Sequence, residues 1–342
     1  MNKTVLVTGG TGYIGSWVVK GLLEKGYTVR VTVRDESKKS KYRHLKEIEN
    51  KSTGTLEIWQ ANLLEEGTYD MPAKGADYIM HLASPFIMQF KDPQAQLINP
   101  AVEGTKNVLQ AANNSGTVKR VVLTSSSAAV YGDNADMTER GLNELDESHF
   151  NKTSSLEHQP YSFSKVTAEK EAWKMYEAQS DWELVVINPS FVMGPSLGEN
   201  TDSGSLSFMN DILKGKYFSG APHLVIGFVD VRDVADAHIK ALENESAIGR
   251  FIISEQTLDL FSFTRIIKKL YGNKFRLPLM KTPKLMLYPV GWIFGLTIKY
   301  ISRNVGYPLV LNASKSKEIL EMKYLPLEKT VKDMVDQMKG LA

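Results

Sequence analysis

Cysteine is absent from this chain of 342 residues. Its absence excludes disulfides, thiolate metal sites and a cysteine nucleophile, and fits a reducing compartment. Redox chemistry would have to reside in a bound cofactor. An excess of either charge is missing too: 41 Lys and Arg face 39 Asp and Glu, so no general field draws in nucleic acid or an anionic membrane surface. The most apolar run, Leu285 to Ile301, is shorter than the roughly 20 residues that span a bilayer and is broken by Pro289, Gly291 and Gly295. It reads as buried or substrate-facing helix, with membrane association as the alternative. No charged leader with a long apolar core precedes the segment Thr4 to Val7, so residence in the cytoplasm is expected. At 42% hydrophobic and 23% charged residues, the composition is that of a folded globular protein of one or two domains.

Short β-branched runs alternate with longer helical patterns through the first half: KTVLVT, YTVRVTVR, TLEIWQA, ADYIMHLA, VKRVVLTSS and WELVVINP. Such alternation predicts an α/β fold, a doubly wound parallel sheet of Rossmann type with crossover helices. Between the first two runs Ile14, Val18, Val19, Leu22 and Leu23 recur at helical spacing, and Gly26 closes the segment. Ligands of such sheets bind beyond the carboxyl ends of the strands. After Pro189 the pattern loosens. The expected division is a nucleotide-binding domain over 1–190, to which 224–243 returns, and a smaller C-terminal α/β substrate domain from 191–223 and 244–342.

The first strand runs into Gly9, Gly10, Thr11, Gly12, Tyr13, Ile14 and Gly15. In the spacing GxxGxxG the first glycine allows a tight turn, the second lets backbone N–H groups approach a pyrophosphate, and the third permits close packing of helix on strand. The alternative is a sharp turn without a ligand. Where NAD-binding proteins place an acidic residue, the second strand ends Val33, Arg34, Asp35, with Lys38, Lys39, Lys41 and Arg43 after it. A guanidinium at that end pairs with a 2′-phosphate, which favours NADP. The alternative is a solvated basic helix face, with Asp35 selecting NAD.

The fifth strand delivers Ser125, Ser126 and Ser127 at its carboxyl end. Downstream, Pro160 suits the first turn of a helix, and Tyr161 and Lys165, four apart, emerge on one face. A tyrosine, with a reference pKa of roughly 10, works at neutral pH only if neighbouring positive charge stabilises its phenolate. Singly these residues have plain structural readings. Their order on one α/β frame makes them candidate catalytic groups.

On these motifs the chain resembles the extended short-chain dehydrogenases/reductases, and among them the dihydroflavonol reductase, cinnamoyl-CoA reductase and aldehyde or methylglyoxal reductase group. The resemblance covers nearly the whole chain. It rests on TGGTGYIGS at the start, TVRD at 32–35, HLASP at 81–85, NPAVEGTKNVL at 99–109, TSSSAAV at 124–130, YSFSKVTAEKEAW at 161–173, NPSFVMGP at 188–195 and VDVRDVADAH at 229–238. It implies that Ser126 is the catalytic serine, Tyr161 the proton donor and Lys165 the lysine that holds the nicotinamide ribose. It places Arg34 and Lys41 on the 2′-phosphate of NADP, and Leu82, Ala83, Ser84, Thr124, Pro189 and Val192 along the cofactor. Ser84, Phe86, Ser127 and Phe191 would line the substrate pocket. Two departures stand out: the family's Asp-Leu pair near adenine is Asn62-Leu63 here, and the turn Val130 to Gly132 resembles sugar-nucleotide epimerases.

The expected activity is NADPH-dependent reduction of an aldehyde or ketone, with a small-molecule carbonyl compound as the partner and no nucleic acid, membrane or metal. The alternatives are an epimerase or dehydratase that retains NAD, and a dinucleotide sensor without catalysis. Monomer and homodimer are both compatible with these motifs.

Overall fold

The computed structural model describes residues 3–84, 91–198 and 203–340. The six β-branched runs form β1 (Thr4–Thr8), β2 (Thr28–Val33), β3 (Thr55–Gln60), β4 (Tyr78–His81), β5 (Arg120–Thr124) and β6 (Glu183–Pro189). They lie parallel in the order β3-β2-β1-β4-β5-β6. Branched side chains suit a pleated surface buried on both sides, which is why these stretches read as near-continuous apolar runs. The period of two sorts them: fully buried Val5 and Val7 enter one core cluster and Leu6 the opposite one.

Helices cover both faces. On one side lie α1 (Tyr13–Glu24) and α2 (Arg43–Glu49); on the other lie α3 (Asp70–Ala73) and α4 (Asn99–Ser115). The short α5 (Ala135–Glu139) precedes α6 (Pro160–Glu177), which packs against α4. Gly26, with φ +85°, takes the left-handed conformation that ends the first helical segment.

Beyond β6 the chain forms β7 (Phe191–Met193), α7 (Gly204–Leu213), β8 (Ala221–Pro222), β9 (Val225–Asp230), α8 (Val231–Glu243), β10 (Gly249–Ile253), β11 (Gln256–Asp259), α9 (Leu260–Tyr271) and β12 (Lys281–Thr282). The expected division needs two corrections here. α8 does return to the large sheet and packs on α1, but β9 does not; it sits between β7 and β11 in a separate three-stranded sheet. Conversely β10, placed by the expectation in the substrate domain, pairs with β6 in parallel as the seventh strand of the large sheet. Phe251 and Ile253 of β10 fill the same core cluster as α1 and α8, and that burial fixes the strand there.

A second core lies between the small sheet, α7, α9 and the C-terminal helix Leu327–Met338; Phe228 and Phe263 stack there at 4.6 Å. The remaining helices are α10 (Lys284–Val290), α11 (Ile298–Asn304), α12 (Ser314–Ile319) and α13 (Leu327–Met338). The run Leu285 to Ile301, expected as a buried or substrate-facing helix, is not one buried helix. Pro289, Gly291 and Gly295 cut it into α10, a single 3-10 turn and α11, too short to bury one continuous stripe. Only Leu287, Ile301 and Val305 form a small core beneath it, while Leu285 is 79% and Trp292 75% exposed. Among the described residues no helix is long and apolar enough to cross a membrane.

Candidate active site

The carboxyl ends of β1 and β4, which lie side by side where the strand order reverses, frame the site. Gly9 has φ +68°, and a Cβ on it would stand 2.7 Å from the Ala83 nitrogen; at Gly15 a Cβ would stand 2.1 Å from the Gly9 carbonyl oxygen. Both glycines are therefore required by close approach of backbone. The Gly12 N–H donates to the Gly9 carbonyl at 3.0 Å and closes the turn. Gly12 caps α1 with no side chain, so the first N–H groups of the helix, those of Tyr13 and Ile14, lack intrahelical partners and face the turn of Thr11 and Gly12. That arrangement suits a pyrophosphate.

Tyr13 contributes backbone rather than side chain. Its hydroxyl donates to the Gly194 carbonyl at 2.6 Å, and burial pushes its pKa well up. Trp17 Nε1 donates to the Pro195 carbonyl at 2.9 Å, so α1 is tied to the loop after β7 by two side chains, of which the sequence marked Tyr13 and not Trp17. Val192 and the end of β6 at Pro189, paired with Ile253, lie in this same region.

Arg34 follows directly on β2, exposed, with no hydrogen bond or ion pair among the described residues. Asp35 is occupied within its own turn: it accepts from the Ser37 hydroxyl at 2.6 Å and the Ser37 N–H at 3.0 Å, and Lys38 lies 3.3 Å away. Those Ser37 hydrogen bonds hold its pKa below the usual carboxylate range. Lys41 is exposed on the 3-10 turn Lys39–Lys41. The glycine cradle fits a dinucleotide, and the exposed, unengaged Arg34 at the end of β2 fits an adenosine phosphate. Asn62 is engaged locally, its amide donating to Glu65 at 2.5 Å, while Leu63 packs against Gly104 and its carbonyl accepts from Asn107 at 2.9 Å.

The three serines after β5 separate by partner. Ser125 donates to Glu169 Oε2 at 2.5 Å, Ser126 hydrogen-bonds Tyr161, and Ser127 hydrogen-bonds Tyr131. Spacing alone did not distinguish them. Thr124 pairs with His238 Nε2 at 2.6 Å, and the same ring meets the Val234 carbonyl through Nδ1 at 2.7 Å. Only a protonated Nδ1 can bond a carbonyl, so Nε2 accepts from the Thr124 hydroxyl. Burial holds His238 neutral, with its pKa down at about 4.

Tyr161 and Lys165 stand on one face of α6, with the Lys165 ammonium 5.8 Å from the Tyr161 ring centre. Burial pushes the Tyr161 phenol up to about 12, opposed by its hydrogen bond with Ser126. Burial brings Lys165 down to about 8, opposed by the Glu169 carboxylate. Lys165 Nζ donates to Ser84 Oγ at 3.1 Å. Ala83 is anchored alongside, its N–H donating to Thr8 Oγ1 at 3.1 Å, and Leu82 N–H donates to the Thr8 carbonyl at 3.2 Å. The structure thus gathers Ser126, Tyr161, Lys165, Ser84, Ala83 and the glycine turn. Phe191 packs edge-on to Phe208 at 5.2 Å in the second core. Phe86, expected in the substrate pocket, lies outside the described residues.

Asp133 was not anticipated. Fully buried, it sits 2.9 Å from His158 Nε2 and accepts from Gln159 and Asn304 at 2.6 Å and from Arg303 at 2.6 Å. His158 and Gln159 directly precede Pro160, so Asp133 fixes the start of α6 against α11. Gln159 adopts a left-handed φ of 55°, held by those contacts and by a hydrogen bond to the Gly132 carbonyl. A surface cavity of about 590 Å³ between α6 and β10, lined by Trp173, Lys174 and Arg250 among others, contains none of Ser126, Tyr161 or Lys165. No cluster of metal-ligating side chains occurs among the described residues.

The sheet order, the glycine turn and the serine–tyrosine–lysine set define a dinucleotide-binding α/β protein of the extended short-chain dehydrogenase/reductase type. Comparison with known proteins agrees: residues 5–253 match the NAD dependent epimerase/dehydratase family, and the chain belongs to it. It is 36% identical over 342 residues to a cinnamoyl-CoA reductase of Medicago truncatula, covering 99% of this chain and 96% of that one. It is 32% identical to a dihydroflavonol 4-reductase of Arabidopsis thaliana, over 79% of this chain and 70% of the relative. The crystal structure of Gre2 from Candida albicans in complex with NADPH superposes with a TM-score of 0.81 at 32% identity, over 99% of both chains.

Proposed function

We propose that this protein reduces an aldehyde or ketone to an alcohol with NADPH. The observation that carries the reading is the convergence of Tyr161, its hydrogen-bond partner Ser126 and Lys165 beside the glycine turn. The reductase relatives and the NADPH complex of a structural neighbour support it. Gly9, Thr11, Gly12 and Gly15, with the N–H groups of Tyr13 and Ile14, hold the pyrophosphate; Arg34 and Lys41 hold the 2′-phosphate. The bound dihydronicotinamide supplies the hydride.

The protein's own groups then act on the carbonyl oxygen. Ser126 and Tyr161 donate hydrogen bonds to it, and because they are fixed beforehand they favour the negative charge that develops in the transition state. Tyr161 delivers the proton, a step typically worth about 100- to 10,000-fold. Lys165 keeps positive charge next to the phenol and lowers the cost of its transient ionisation. Ser84, bonded to Lys165, helps to fix the ammonium.

One rival has an observation in its favour: the family includes epimerases and dehydratases, and the turn Val130 to Gly132 is of their kind. Arg34 argues against it, because a tightly held NAD has no 2′-phosphate for that side chain. A panel of carbonyl compounds assayed with NADPH and NADH decides. Oxidation of NADPH in step with alcohol formation supports the reading; a tightly bound, co-purified NAD with no net oxidation of added NADPH overturns it.

A further inference from the structure

We infer that α10, the 3-10 turn after it and α11 form a face that docks on an anionic lipid bilayer. Eight of the thirteen exposed large apolar side chains among the described residues fall between Leu279 and Ile298. Leu285, Met286, Trp292, Ile293 and Ile298 are each 59% to 79% exposed. These helices already bury Leu287 and Ile301 beneath them, so the outward apolar residues form a second face where an ordinary surface helix is polar. Apolar side chains with a tryptophan on short helices lying along a surface suit the boundary between headgroups and acyl chains.

Charge identifies the occupant. No Asp or Glu occurs between Asp259 and Glu318, a stretch with eleven Lys and Arg, whereas the rest of the chain has 30 basic against 39 acidic residues. Lys274, Arg276, Lys281, Lys284 and Lys299 belong to the same segment as the apolar face. Arg303, Lys281 and Lys269 of this stretch are paired with acidic residues, but Lys274, Arg276 and Lys299 are exposed and have no ion pair among the described residues, so the segment that carries the apolar face also carries positive charge that an anionic bilayer attracts. A second copy of the chain is disfavoured, because two such faces would set like charges against each other.

The location connects docking to catalysis, and this part rests on the proposed reductase function. α11 also carries Arg303 and Asn304, whose bonds to Asp133 reach the residues directly before Pro160 and Tyr161. The docking helices are thus joined through Asp133 to the start of α6, and the substrate class this suits is a lipophilic carbonyl compound that partitions into the bilayer.

Co-sedimentation with vesicles tests the inference without any substrate. Full-length protein is expected to pellet at least tenfold more with phosphatidylcholine vesicles containing phosphatidylglycerol than with phosphatidylcholine alone. Salt at 0.5 M and Lys299→Glu should weaken the binding, and Leu285→Glu/Ile293→Glu should abolish it while keeping the wild-type circular dichroism spectrum. Equal pelleting of wild type and the double variant, no pelleting with either vesicle, or a wild-type dimer in sedimentation velocity that the double variant converts to monomer would overturn it. Reductase activity on a water-soluble aldehyde, measured separately, reports on the proposed function alone.

Discussion

Glu169 and Arg250 form an ion pair, Oε1 to Nε 2.5 Å, with both side chains almost wholly removed from solvent. The other carboxylate oxygen accepts from Ser125 at 2.5 Å and from Asn188 at 2.8 Å. Glu169 stands one helical turn after Lys165 and ties α6 to the end of β5, to β6 and to β10 at once. Its charge also offsets the burial that lowers the Lys165 pKa.

Glu169→Gln is expected to cost about 3 to 5 kcal/mol, the range for removing one partner of a buried pair and leaving the other charge uncompensated. Thermal or urea unfolding measures it. Glu169→Gln should also lower the Lys165 pKa further, which the pH profile below reports independently of stability.

Lys165 titrates at about 8 in the cofactor-free protein. Its ammonium is present below that pH and lost as pH rises through it, so kcat/KM for NADPH, which reports the cofactor-free enzyme, should fall on the alkaline side of about 8. In Glu169→Gln the descending limb should move to lower pH. A flat profile from pH 7 to 9 would separate Lys165 from the chemistry.

Arg34→Ala should raise the KM for NADPH by tenfold or more and leave that for NADH nearly unchanged if, as proposed, the side chain meets only the 2′-phosphate. Steady-state kinetics with both cofactors measures this. Equal weakening of the two would remove Arg34 from cofactor selection.

Much of this was legible in sequence because it is written in local patterns. Six strands, the helix after Gly12 and the Tyr161–Lys165 face follow from periodicities of two and 3.6. β10 was missed because its place beside β6 is fixed by tertiary burial of Phe251 and Ile253, which no local pattern in GRFII announces. Leu285 to Ile301 misled because apolar content does not say which side of a helix meets the core. Asp133 and His238 were invisible for another reason. Their partners lie as far as 171 and 114 residues away, and no spacing rule spans such distances.

Tyr161→Phe tests the account most directly. It removes one hydroxyl and keeps the ring, so the variant should fold, bind NADPH with an affinity like the wild type's, and lose about 100-fold or more in kcat on any carbonyl substrate the wild type reduces. Turnover within a few fold of wild type would contradict the role of Tyr161 as proton donor.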